Sequence, residues 1–261
     1  MSASQDELHR TIDLIIPRPT TGIRVDAIRS MAAVNTSMLN AIRANRPWLM
    51  TFANPATSIA VSRHPEFGAM LNDFDIVAPD GVGLVLAMKL IHRQPALRIS
   101  FDSTSLAPHV FRFAVKHRLA VVLCGGVPGV AATARDTITA AYPGIRIVGA
   151  FDGYRDQDEI IAEIGVLNPG IVIAGMGAIV QEKFLFRLVE RGWIGLGFTC
   201  GGYLDQLSIK GTNYYPAWID RYNLRWAYRL AMEPRRLWRR YLLEYPEFGL
   251  RLAANWLRRG R

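Results

Sequence analysis

The chain has 261 residues, half of them hydrophobic and a fifth charged, the composition of a globular protein with enough length for one substantial core. No low-complexity tract or fixed-period repeat is present, no apolar run approaches the roughly 18 residues of a membrane span, and no leader pattern opens the sequence, so a cytoplasmic location is expected. The formal net charge of +9 is concentrated at one end: residues 206–261 hold twelve Lys and Arg against four acids, a basic tail on a near-neutral body that calls for an anionic partner.

Residues 1–21 read as an N-terminal extension and residues 22–205 as an α/β body. Apolar runs predict strands at Trp48–Ala53, Asp75–Ala78, Ala120–Cys124, Arg146–Ala150, Ile171–Ala174 and Gly195–Cys200. Helical segments are predicted at Ala56–Leu71, Gly83–His92, Ser105–His117, Gly129–Ala141, Gln157–Leu167 and Val180–Arg191. This alternation predicts a mostly parallel, Rossmann-like sheet with helices on both faces. Residues 206–261 form an appended helical segment, divided into about three short helices by Pro234 and Pro246. Arg221, Arg225 and Arg229 recur every fourth residue there and share a face.

Ligands of such sheets bind beyond the carboxyl ends of the strands. The loops at those ends are Thr51-Phe52-Ala53-Asn54-Pro55, Pro79-Asp80-Gly81-Val82-Gly83, Cys124-Gly125-Gly126-Val127-Pro128-Gly129, a Gly175–Phe184 segment and Cys200-Gly201-Gly202-Tyr203-Leu204-Asp205. Asp80 fits three roles: part of a nucleotide loop, a helix cap, or a catalytic base. A dinucleotide fingerprint needs a third glycine where Leu86 stands. The loop containing Gly125 has room for a phosphate at a helix N-terminus but lacks the Lys and Ser/Thr of a P-loop. Cys124 and Cys200 each close an apolar run and read as buried reduced thiols. The Asp73-Phe74-Asp75 triplet has the form of a diphosphate-binding metal motif but precedes its strand, at the wrong end of the sheet. The five histidines match no catalytic pattern, and no nucleophile elbow is present.

Taken in order, these loops resemble the WecG/TagA/CpsF glycosyltransferases, glycosyltransferase family 26. The family shows a Thr/Asn segment, a P-D-G-x-G turn, G-x-G-x-P-K-Q-E-x-W, G-G-x-x-D and a helical tail with E-P-R-R; here the tail reads Glu233-Pro234-Arg235-Arg236. The likeness runs from about residue 22 to residue 245. This chain has Ile179-Val180 where the family has Pro-Lys, and Phe184 where it has Trp.

The resemblance implies an inverting transfer of a sugar from a UDP donor to a polyprenyl-diphosphate-linked saccharide, as in bacterial surface-polysaccharide assembly. Inversion by direct displacement needs one base and no protein nucleophile, and Asp80 matches the family's base. Thr51, Asn54, Gly81, Gly125, Gln181 and Glu182 are the implied substrate-binding positions. No metal or other cofactor is expected, so arginine forks at Arg221, Arg225 and Arg229 are expected to neutralise the diphosphate. The same basic aromatic tail suits the inner membrane surface. The resemblance further leaves room for a homo-oligomer and names as donors N-acetylmannosamine, its uronate or glucose-type sugars. Two other readings are weighed against it. A nucleic-acid-binding protein would use the basic tail, but no nucleic-acid module is visible. An oxidoreductase would need the fingerprint that fails.

Overall fold

A computed structural model describes residues 11–14, 23–92, 96–214, 216, 219 and 224–250. The chain forms two compact units. One comprises the described residues within Met1–Ala33, Phe52–Ile99 and Tyr215–Arg261, the other Val34–Thr51 and Ser100–Tyr214.

The fold is α/β, as expected. In chain order come β1 (Thr11–Leu14), β2 (Ile23–Asp26), α1 (Met31–Arg43), β3 (Trp48–Ala53), α2 (Pro55–Arg63), α3 (Pro65–Asn72), β4 (Ile76–Pro79) and α4 (Val82–His92). There follow α5 (Leu106–His117), β5 (Ala120–Gly125), α6 (Val130–Ala141), β6 (Arg146–Phe151), α7 (Gln157–Leu167), β7 (Ile171–Gly175), α8 (Val180–Glu190), β8 (Leu196–Thr199) and α9 (Tyr203–Lys210). Beyond them lie α10 (Arg225–Met232), α11 (Pro234–Arg239) and a short π-type turn, Arg240–Glu244. Six strands form one sheet in the order β4-β3-β8-β7-β5-β6, and β1 and β2 form a separate pair.

In the second unit, β3 with β8, β8 with β7, β7 with β5 and β5 with β6 all pair parallel. The β7 and β8 strands are buried along their whole length, as strands covered on both faces must be. Trp48 and Phe198 meet edge to face at 5.5 Å, and Phe101 joins them to Tyr203. The Trp48 indole N–H donates to Ser37 Oγ of α1 at 2.9 Å, so this large ring is buried without an orphaned donor. Val34, Met38 and Ala41 give α1 its buried face at helical spacing.

In the first unit, β1 and β2 are antiparallel, with Thr11 opposite Asp26. Asp26 is fully buried, and its carboxylate takes the Arg24 guanidinium at 3.1 Å and the Val77 N–H at 2.8 Å. Arg24 donates onward to the carbonyls of Asn72, Phe74 and Asp75. This pair fixes the entry of β4, the strand that delivers Asp80. The charged residues here are satisfied by geometry rather than by exposure, the condition under which a buried ion pair is tolerated.

Two expectations change. The single helix expected over Ala56–Leu71 is broken into α2 and α3 at His64. Pro65 lacks an amide hydrogen and pushes the residue before it out of the helical region, and His64 sits at φ −131°, ψ 79°. The β1–β2 pair and α1 were not among the expected elements at all. The tail is helical over its described part, with Pro234 starting α11, the position where its missing N–H costs nothing.

Candidate active site

In the first unit, β3 ends at Ala53 and β4 at Pro79. Asn54 starts α2: its Oδ1 accepts from Ala56 N at 3.0 Å and Thr57 N at 3.3 Å, and Thr57 Oγ1 accepts from Asn54 N. This reciprocal cap needs an amide oxygen at 54 and a hydroxyl three residues on. It commits Asn54 Oδ1 to the fold and leaves the Nδ2 group for any ligand. Asp80 stands just past β4, half-buried, its backbone N–H donating to Ala53 O at 2.7 Å. Ile99 N–H donates to Pro79 O at 3.1 Å. The two strand ends are thereby tied together, and the Asp80 turn is anchored on both sides. Gly81 follows at φ 101°, in the region that L side chains avoid, so the chain can reverse from strand to α4 within one residue. Asp80, Gly81 and Asn54 thus share one edge.

In the second unit, Thr51, Gln181 and Glu182 come together in the interior. Glu182 Oε1 accepts from Thr51 Oγ1 at 2.9 Å and from Gln181 Nε2 at 3.0 Å, while Oε2 accepts from Ile179 N at 2.6 Å. Thr51 Oγ1 is 2.9 Å from Thr199 Oγ1, and Gln181 Oε1 accepts from Gly201 N at 3.2 Å. Glu182 is 2 % exposed, Thr51 is fully buried and Gln181 is nearly so. Burial pushes the Glu182 carboxyl above its ordinary value, and the bonds from Gln181, Thr51 and Ile179 oppose that shift. The network links β3, the β7–α8 turn and the end of β8.

Gly125 lies where β5 meets β7, paired with Gly175. A methyl group at position 125 would stand 2.3 Å from the Gly175 carbonyl oxygen, and one at 175 would stand 2.7 Å from that of Gly201. The carboxyl ends of β5, β7 and β8 therefore form a floor of bare backbone. The α6 and α9 helices start beside it with Gly129 and Gly202 at their caps; Val130 N donates to Val127 O at 3.0 Å and Tyr203 N to Cys200 O at 3.1 Å, and the next amides of α6 have no capping side chain. Such amides favour anionic groups. Gly175, Thr199 and Gly201 were not singled out in the sequence. Only the network shows what they do, although their places in the glycine segments after β7 and β8 were visible.

Arg225 and Arg229 lie four residues apart on α10, both half-buried, while Arg221 falls outside the described residues. The Asp73-Phe74-Asp75 triplet sits before β4, as read from the sequence, and the carbonyl of Asp75 is taken by Arg24. Among the described residues no group of three or more His, Cys, Asp or Glu is placed to hold a metal ion. Cys124 and Cys200 are free buried thiols, each pushed up by burial. Asp102, in the polar stretch before α5, accepts from Thr104 N at 2.9 Å, from Thr104 Oγ1 at 2.8 Å and from Ser100 Oγ. That stretch is a built turn.

Two parts of the molecule thus gather the polar and glycine groups that a reaction could use. One presents a carboxylate on a fixed turn, the other a glycine floor beside a buried polar network. The family model described as Glycosyl transferase WecG/TagA/CpsF family matches residues 18–261. The chain is 26% identical over 211 residues, 79% of its length and 86% of the relative's, to the UDP-Gal:alpha-D-GlcNAc-diphosphoundecaprenol beta-1,4-galactosyltransferase of Shigella boydii. It is 29% identical over 205 residues, 78% of each chain, to the N-acetylglucosaminyldiphosphoundecaprenol N-acetyl-beta-D-mannosaminyltransferase of Bacillus spizizenii. It is 25% identical over 208 residues, 77% of its length and 78% of the relative's, to the enzyme of the same name from Staphylococcus aureus.

Proposed function

Because the chain belongs to the WecG/TagA/CpsF glycosyltransferase family, we propose that it moves a hexosyl group from a UDP-sugar to a polyprenyl-diphosphate-linked saccharide, with inversion. The family match over residues 18–261 carries this reading. The relatives named above act on N-acetylglucosaminyl-diphosphoundecaprenol and differ in the sugar they add. The acceptor follows from what these relatives share, and the donor is a galactosyl-, N-acetylmannosaminyl- or glucosyl-type nucleotide sugar.

In the proposed reaction an acceptor hydroxyl oxygen attacks the anomeric carbon from the face opposite the nucleotide. The carbon–oxygen bond to the diphosphate breaks as the new one forms, and UDP leaves with the electron pair. The acceptor's proton passes to the Asp80 carboxylate. An anchored turn suits this role, because a base held still needs no reorganisation as charge moves. The glycine floor and the uncapped start of α6 suit the donor diphosphate. The arginines at 221, 225 and 229 are proposed to balance the charge that UDP gains on leaving. The product belongs to an exopolysaccharide or other cell-surface glycan, made where the basic tail rests on the inner face of the membrane.

The test is transfer of labelled sugar from UDP-galactose, UDP-N-acetylmannosamine and UDP-glucose to polyprenyl-diphosphate-linked N-acetylglucosamine, with and without a chelator. Wild type is expected to use one of these donors. Asp80→Asn is expected to bind UDP as before and to lose roughly 10²-fold or more in kcat, the usual worth of a general base. Equal rates for both proteins would return Asp80 to a capping role.

A further inference from the structure

We infer that Glu182 is a positioning residue: it touches no substrate, and it fixes the Gln181 amide in one orientation so that a single polar group of the interior network is offered to the ligand. The hydrogen count carries this. Oε1 of Glu182 holds two donors and Oε2 a third, all within 3.0 Å, on a carboxylate 2 % exposed. Both lone pairs of Oε1 are occupied, and no solvent reaches the rest.

The consequence spreads outward. The hydroxyl of Thr51 has one hydrogen, and it points to Glu182. The Thr199 hydroxyl must then be the donor in the Thr51–Thr199 contact. Thr51 therefore has no hydrogen left for a sugar. Gln181 is held at both ends: Oε1 takes the Gly201 N–H, and one Nε2 hydrogen goes to Glu182. Flipping the amide would set its NH₂ against the Gly201 N–H and its oxygen against a carboxylate, so the network itself settles the orientation. One Nε2 hydrogen of Gln181 remains. It is the donor this network keeps for a ligand.

Ile179 shows what Glu182 holds in place besides Gln181. It lies at φ 73°, a region that β-branched residues avoid. Its N–H on Glu182 Oε2 is the bond that keeps the turn there. Where the family pattern has proline, no such bond is available, so this clamp on the β7–α8 turn is a property of this chain.

The experiment has two arms. Amide hydrogen exchange, read by mass spectrometry without any substrate, follows the segments 176–181 and 199–203 in wild type and in Glu182→Gln. A carboxamide can accept from only part of the three donors, so faster exchange at both segments is expected. The second arm, which alone rests on the transferase reading, is a double-mutant cycle on kcat/KM with Glu182→Gln and Gln181→Ala. The expected coupling is about tenfold, because removing Gln181 removes what Glu182 orients. If Glu182→Gln does not fold, Thr51→Val takes one donor from Oε1 in nearly the same volume, and it is expected to speed exchange at 176–181. Additive effects, unchanged exchange, or a Glu182→Gln enzyme as active as wild type would overturn the inference. Faster exchange together with no transfer by wild type from any UDP-sugar would sink the transferase reading and leave the clamp standing.

Discussion

A buried carboxylate held by three donors couples the geometry of the interior network to proton binding. Glu182 has an ordinary carboxyl value of 4.5 that burial raises in the folded chain. The native state then binds this proton more tightly than the unfolded state does. Stability contributed by that difference is full below the unfolded value and is lost as pH rises through the folded one. Wild type is therefore expected to gain stability relative to Glu182→Gln as pH falls through the raised folded value toward 4.5. Urea unfolding of both proteins across that range checks it. A constant gap between the two would mean that the carboxyl titrates alike in both states. Thr51 shows a related point: a hydroxyl that reads as a ligand group in the sequence is fully buried and already bonded to two partners.

Helices here are made by their ends as much as by their faces. The α2 helix has nine residues, too few to persist alone, and the Asn54–Thr57 box holds its start. Replacing Asn54 with Ala is expected to cost about 1 kcal/mol and to lower Tm by about 2–4 °C in a chain of this size. Calorimetry reads this directly, and an unchanged Tm would show that the cap is dispensable. The same stretch shows what was legible in the sequence. The strands at Trp48, Ala120 and Ile171 were readable because covered parallel strands are unbroken apolar runs. The break at Pro65 was missed because the apolar spacing continues across it. The β1–β2 pair was missed because four-residue strands carry too little pattern, and the partnership of Arg24 with Asp26 depends on a β4 entry 51 residues away. The loops after the strands were found by their glycines and polar groups. That Glu182 turns into a buried network while Asp80 stays half-buried on its turn followed only from the folded geometry.

At the scale of the whole chain, charge and exposed apolar surface coincide in the tail. Trp226, Trp238, Leu242, Leu243 and Leu250 are exposed, as are Arg235 and Arg239 beside them. No described helix is long and apolar enough to cross a membrane. A basic aromatic surface of this kind is expected to bind vesicles containing phosphatidylglycerol, to ignore phosphatidylcholine alone, and to be released by about 0.5 M salt, as its charges are screened. Flotation of the full chain measures it, and equal binding to neutral vesicles would assign the attachment to the apolar residues alone. The glycine floor has a different reach. Where a side chain at 125 or 175 would run into the neighbouring backbone, there is no side chain to exchange and no room to add one. A library randomised at 125 and 175 would return almost only the parental residue, whereas one randomised at 178–180, in the turn after β7, keeps the platform intact. Variation in this part of the chain, in a laboratory or in a lineage, has its freedom in the turns around the floor and not in the floor itself.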